Sequence, residues 1–117
     1  LFRSTRVLVP RCDYVSSFGW GEGGADARQR LGLPGGGPEL IITPECVMDF
    51  DPESKHARLR FLAPGVTVDE VQAKTGFDLP LAADLGEAPM PTEAELQILR
   101  TRVDPGGVLR RNMEQQS

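Results

Sequence analysis

The stretch GWGEGG sets Gly19, Gly21 and Gly24 at the G-x-G-x-x-G spacing, in which glycines let a backbone approach a pyrophosphate. Glu45 follows about twenty residues later, at the end of an apolar run, where a dinucleotide site presents a carboxylate to ribose. The context argues against that chemistry. A nucleotide-binding crossover needs a helix long enough to run back across a sheet. Here ADARQRLG makes only about two turns before Gly32, Pro34 and three further glycines stop it. Cys12, Cys46 and the single His56 have no metal-ligand spacing, so the cysteines are expected to be structural thiols and His56 a solvated turn residue. What remains with chemical potential is backbone: two glycine-rich loops, SSFGWGEGG and GGGP, each joining one element to the next.

Those loops must be positioned by the elements around them. TRVLVP predicts a short β-branched strand over residues 5–9, stopped by Pro10, followed by a loop over residues 12–24. ELIIT is apolar at consecutive positions, as a strand covered on both faces would be. CVMDFD and ARLRFL alternate and are joined by PESKH, which predicts a hairpin. DLPLAADLGEAPMP is extended and broken by proline. Thr92 then caps a last helix, EAELQILRTRV, with Leu96, Leu99 and Val103 on one face.

Between the hairpin and that extended stretch, LAPGVTVDEVQAKTGF carries its own start and stop signals. Thr67 is the N-cap and Glu70, three residues on, can reach back to its amide. Val66 and Val71 are spaced as a hydrophobic staple, and Asp69 and Glu70 complement the helix dipole. Gly76 is expected to take a left-handed conformation that ends the helix, with Phe77 folding back onto Val71. Two turns are unstable alone in water, so this helix must dock on something.

Composition limits the function. The chain has 117 residues, enough for one domain, expected over 1–103 with a polar tail over 104–117. A net charge of -4 disfavours a nucleic-acid or anionic-membrane surface. No apolar run is long enough for a transmembrane helix and no signal peptide opens the chain, so a cytoplasmic location is expected. The chain begins with Leu1 and runs almost at once into a predicted strand, which suggests a fragment, a trimmed product or a non-standard start codon.

DYVSSFG, GLPGGGPELIIT, VMDFDPES, LAPGVTVDEVQAKTGFDL and PTEAELQILRTRVDPGG, in this order, resemble the C-terminal half of the beta subunit of family I CoA-transferases, of the glutaconate CoA-transferase and steroid ring-opening acyl-CoA hydrolase type. The resemblance runs from Arg6 to Gly107 and is most specific at PGVTVDEVQAKTGF behind GGGP. It implies an α/β fold: a partial open sheet with flanking helices, similar to the C-terminal part of the CoA-transferase (phosphosugar isomerase-like) fold. Acyl-CoA or CoA is then a substrate, and no cofactor is bound. The implied partners are an alpha subunit or a missing N-terminal half.

In that family a glutamate attacks the thioester, and where the beta subunit carries it, it lies upstream of the matched region. None of Glu22, Glu39, Glu45, Glu53, Glu70 or Glu87 sits in that motif, so no catalytic residue is assigned and the isolated chain is expected to be inactive. The resemblance makes Ser16, Ser17, Gly19, Gly35, Gly36 and Gly37 candidate substrate-binding residues, although Ser-Ser-Phe-Gly departs from the family's usual Thr-Ser-Pro-Gly. Both glycine stretches read equally well as surface turns, and Trp20 as a ligand platform or, preferably, an interface anchor. The competing function is a non-catalytic, stand-alone binding or oligomerising domain. Either way, an unpaired strand at 5–9 predicts a homo-oligomer with Val7, Val9 and Trp20 near the contact.

Overall fold

The helix after Pro64 starts where its sequence signals put it. In the computed structural model, which describes residues 4–108, α2 spans Val68–Ala73; Thr67 Oγ1 accepts from the Glu70 amide at 3.3 Å, and Glu70 Oε2 accepts from the Thr67 amide at 2.8 Å. Six residues of helix cannot hold themselves, and α2 is held by Val71, which is 1% exposed against Cys46, Met48, Leu59 and Leu79. Full burial of a side chain such as Leu59 or Val71 stabilises by about 1.5–3 kcal/mol, so this small cluster outweighs the caps. Val66, Val68 and Phe77 pack around its edge, as the staple and the fold-back predict.

Four strands form one sheet in the order β1-β2-β3-β4. Strands β2 (Cys46–Phe50) and β3 (Ala57–Leu62) are the predicted antiparallel hairpin, with Met48 opposite Leu59 and a register shift between Val47 and Met48. The crossover through α2 returns the chain as β4 (Leu81–Glu87), parallel to β3. Alternation along β2 sends Cys46 and Met48 into the core and Asp49 to the other face, opposite Arg58. There Arg58 grips Asp49 with two hydrogen bonds of 2.7 and 3.1 Å, and Arg60 reaches Asp84 on β4.

Several expectations are corrected. Residues 5–9 form no strand: 5–7 are a turn, with the Val7 and Leu8 amides both donating to the Ser4 carbonyl. β-Branched residues favour strands only where a neighbour takes their backbone groups; here the Leu8 carbonyl instead accepts from the Gly76 amide at 2.7 Å, and Leu8 packs on the core. That contact also changes the role of Gly76. Its φ is not positive; a Cβ there would stand 2.6 Å from the Leu8 carbonyl oxygen, so glycine is needed for close approach.

The strand ELIIT is paired only at β1 (Ile41–Ile42), and Ile42 is 73% exposed, so it is a sheet edge with one bare face. Consecutive apolar residues do not reveal which face is covered. Helix α1 is one turn, Ala27–Arg30. The last helix is α-helical over α3 (Glu93–Ile98), widens to a π-helix over Leu99–Val103, and buries no residue; Val103 is 67% exposed. Cys46 is buried, with its sulfur 3.3 Å from Thr43 Oγ1, but Cys12 is exposed. Of the tail expected over 104–117, residues 109–117 lie outside the described residues.

The two capping boxes are chemically the same, Thr67 with Glu70 and Thr92 with Glu95, but only α2 is packed. Thr67→Ala is therefore expected to lower global stability by about 1 kcal/mol, and Thr92→Ala to leave the midpoint of urea denaturation unchanged. Gly76→Ala is expected to cost roughly 1–3 kcal/mol because its methyl meets backbone that cannot rotate away. Equal midpoints for the Thr67 and Thr92 variants would show that α3 belongs to the cooperative core.

Candidate binding cleft

Loops rich in glycine expose carbonyls that need donors, and in this protein one side chain supplies three of them. Arg28, on α1, donates from Nη1 to the Gly19 carbonyl at 2.9 Å, from Nη2 to the Pro34 carbonyl at 2.9 Å and from Nε toward the Gly35 carbonyl at 3.5 Å. The planar five-donor fork of arginine can span such an array; a lysine cannot. Trp20 ties the same loops together, its indole N–H donating to the Pro38 carbonyl at 2.8 Å. Gly37 lies directly beneath both: a Cβ there would stand 2.8 Å from Arg28 Cδ and 2.9 Å from Trp20 Cζ2.

A third loop, the β2–β3 turn, joins them. Asp51 Oδ1 accepts from the Ser54 amide at 2.8 Å, the Ser54 hydroxyl at 2.9 Å and the Glu53 amide at 3.1 Å. The Gly24 amide donates to the Ser54 carbonyl at 2.7 Å, and a Cβ on Gly23 would collide with that same oxygen at 2.5 Å. Glycine at 23 therefore lets the first loop lie on the turn. The turn in turn carries Lys55, whose ammonium lies 4.8 Å from the Trp20 ring centroid.

Two clefts meet at this junction. The larger, about 480 Å³, has Phe18, Phe50 and Phe77 as apolar wall with Glu22 and Asp78 at its margin; the smaller, about 310 Å³, is bounded by Gly36, Glu39 and Asp49. Trp20, Phe50 and Lys55 line both. The arrangement is suited to holding an elongated ligand with an apolar part and a charged end.

The candidate residues divide accordingly. Gly19 and Gly35 give their carbonyls to Arg28, Gly36 lines the smaller cleft, and Gly37 sits under Trp20. Ser16 and Ser17 are exposed and line neither cleft. His56 is exposed, as expected, and lines the larger cleft. Sequence reasoning missed Arg28, Lys55, Phe50 and Phe77. The available signal for Arg28 was an arginine on a one-turn helix between two glycine loops, but its targets are carbonyls and leave no mark in residue types.

The glutamates differ in freedom. Glu70 is committed to its cap, and the Thr67 amide holds its carboxyl below the usual range; Glu45 pairs with Lys74 at 2.8 and 2.9 Å. Glu22 and Glu39 face the clefts. Among the described residues no three His, Cys, Asp or Glu side chains converge as a metal-binding group, and no helix is long and apolar enough to cross a membrane.

Comparison with known proteins gives a consistent set of similarities. Over 100 residues the chain is 42% identical to the B subunit of 3-oxoadipate CoA-transferase from Pseudomonas knackmussii, covering 86% of this chain and 38% of that protein. The B subunit of glutaconate CoA-transferase from Acidaminococcus fermentans is 38% identical over 102 residues, with the same coverage of 86% and 38%. Among solved structures, glutaconate coenzyme A-transferase from Acidaminococcus fermentans aligns with a TM-score of 0.76 at 35% identity, over 90% of this chain and 40% of that one. Rhodococcus jostii RHA1 IpdAB aligns with a TM-score of 0.74 at 28% identity, over 93% and 43%. No family model matches. The chain thus spans 38% of the length of the two curated relatives.

Arg28→Lys is expected to release the loops around Trp20, the sole tryptophan, shifting its emission to the red and raising its quenching by acrylamide; unchanged emission would mean the loops are held by other contacts. A pH dependence also follows. The Arg58 hydrogen bond lowers the Asp49 pKa, the Ser54 amide lowers that of Asp51 and the Thr67 amide that of Glu70. Carboxylates with depressed folded-state pKa values stabilise fully above their unfolded values, about 4, and lose that stabilisation as pH falls through the folded values. Urea midpoints are therefore expected to fall below pH 4, and to fall less in Asp49→Asn.

Proposed function

We propose that this chain, a homologue of the B subunits of CoA-transferases, is a segment of such a subunit that builds one wall of an acyl-CoA cleft. The observation that carries this reading is the convergence of three loops on Trp20 and Arg28, which leaves an apolar, aromatic cleft with a charged junction. Gly19, Gly35, Gly36 and Gly37 contribute backbone to that wall, and Ser16 and Ser17, exposed in the loop that leads to Gly19, are assigned to it from the resemblance alone. The acyl-CoA is substrate rather than resident cofactor. Residues 1–103 act as one domain, with 104–117 as its tail, in the cytoplasm.

Transfer of CoA needs a carboxylate that attacks the thioester in a site closed to water, with donors facing the developing oxyanion. The Glu70 carboxylate is engaged by its cap and Glu45 by Lys74. Glu22 and Glu39 line the clefts but lie outside the family's glutamate motif, so on the resemblance we assign the nucleophile to residues outside this chain, and with it the need for an alpha subunit and the remainder of the beta subunit. The bare face around Ile42 and the uncovered apolar residues of α3 are consistent with such an assembly. They serve a second copy of the chain equally well in the alternative reading, a stand-alone oligomerising domain.

Two measurements decide between these. The isolated chain is expected to show no turnover of glutaconyl-CoA above background. Residues 4–108, exchanged for the matching segment of the Pseudomonas knackmussii protein, are expected to support transfer when combined with the corresponding alpha subunit, and Arg28→Ala in that chimera to lower it. A chimera that folds and assembles but is inactive, together with a concentration-independent dimer of the isolated chain in light scattering, would favour the stand-alone domain.

A further inference from the structure

Lys55 has a φ of 58°, and among the described residues it is the one non-glycine with positive φ. Such a backbone costs a lysine what it would not cost a glycine. The conformation is imposed by its surroundings: the Lys55 amide donates to the Asp51 carbonyl at 3.0 Å, and the Asp51 side chain holds Glu53 and Ser54. The left-handed residue closes the β2–β3 hairpin loop and fixes the direction in which the Lys55 side chain leaves it. What the placement achieves is an ammonium over the face of Trp20, on the wall shared by the two clefts.

Among the described residues no ion pair joins Lys55 to a carboxylate, although acidic side chains line both clefts. Asp49 is already held by Arg58, while Glu22 and Asp78 on one side and Glu39 on the other stay out of ion-pair reach. An ammonium over an aromatic face with no carboxylate in contact has N–H donors left to offer an anion. Among the residues lining the two clefts, Lys55 is the one lysine or arginine, so it is the cation on which an anionic group can settle. The aromatic wall of the larger cleft offers an apolar chain a bed beside it.

We propose that Lys55, stacked on Trp20, is an anion-binding residue that holds a compact carboxylate or phosphate head at the junction of the two clefts, with an apolar chain lying along Phe18, Phe50 and Phe77. That the head belongs to an acyl-CoA rests on the function proposed above; the anion subsite itself does not.

Trp20 is its own reporter. The full chain is titrated with glutaryl-CoA, butyryl-CoA, CoA and free glutarate while tryptophan emission is followed. If the acyl carboxylate is the head, glutaryl-CoA binds about tenfold tighter than butyryl-CoA, the equivalent of one charge-assisted contact, and Lys55→Met removes the difference. Equal binding of the three CoA compounds, each weakened by Lys55→Met, assigns the head to a CoA phosphate. Lys55-dependent binding of glutarate without binding of any CoA compound keeps the subsite and sinks the acyl-CoA reading. Lys55→Gly relieves the left-handed backbone and is expected to unfold no earlier than wild type, so loss of binding in both variants is not loss of fold. Emission unchanged by every probe, or titrations identical in wild type and Lys55→Met, would overturn the proposal.

Discussion

The arrangement of the loops around the two clefts depends on the Arg28 guanidinium. Bonds from one side chain to carbonyls of two loops tie those loops together, most firmly at the part-buried Gly19 carbonyl. Arg28 answers the carbonyls of Gly19, Pro34 and Gly35 from one rigid fork. With those loops joined, the Trp20 indole reaches Pro38, its ring becomes a wall common to both clefts, and Lys55 has a face to rest on. The glycines are the complement of this clamp: Gly37 and Gly23 stand where a methyl group would push the loops apart.

Beneath that face the scaffold is small. Five buried residues, Cys46, Met48, Leu59, Val71 and Leu79, form the cluster that joins β2, β3, α2 and the approach to β4. The N-terminal turn is drawn in through Leu8, whose side chain packs on the cluster and whose carbonyl takes the Gly76 amide. The opposite face of the sheet carries charge. Asp49 with Arg58, and Arg60 with Asp84, keep it ordered without an apolar layer. Because Asp49 also borders the smaller cleft, the ion pair on the sheet and that cleft share a residue.

Two apolar surfaces of the described residues are left uncovered within the chain. Ile42 on the edge strand and Val103 on the last helix present apolar side chains to solvent, at 73% and 67% exposure. The chain covers 38% of the length of its CoA-transferase relatives, and its sheet is open at β1 and its last helix unpacked. The two cysteines make the same contrast on a smaller scale, one buried against Thr43 and one facing water.

Local signals determined the elements whose physics is local. The Thr67–Glu70 and Thr92–Glu95 caps, the alternation of the β2–β3 hairpin and the loop character of residues 12–24 were all legible, because each depends on neighbours within a few residues. The glycine stretches were legible as loops, and the family resemblance supplied the fold class. Tertiary structure alone decided the rest. Residues 5–9 have strand-forming side chains but bond within their own turn and to Gly76, and propensity cannot report a missing neighbour. Gly76 serves close approach to Leu8 rather than a left-handed stop, which only the path of a distant segment could reveal. Arg28 and Lys55 matter through backbone carbonyls and an aromatic face brought to them across the fold, and neither kind of partner announces itself in the order of residues.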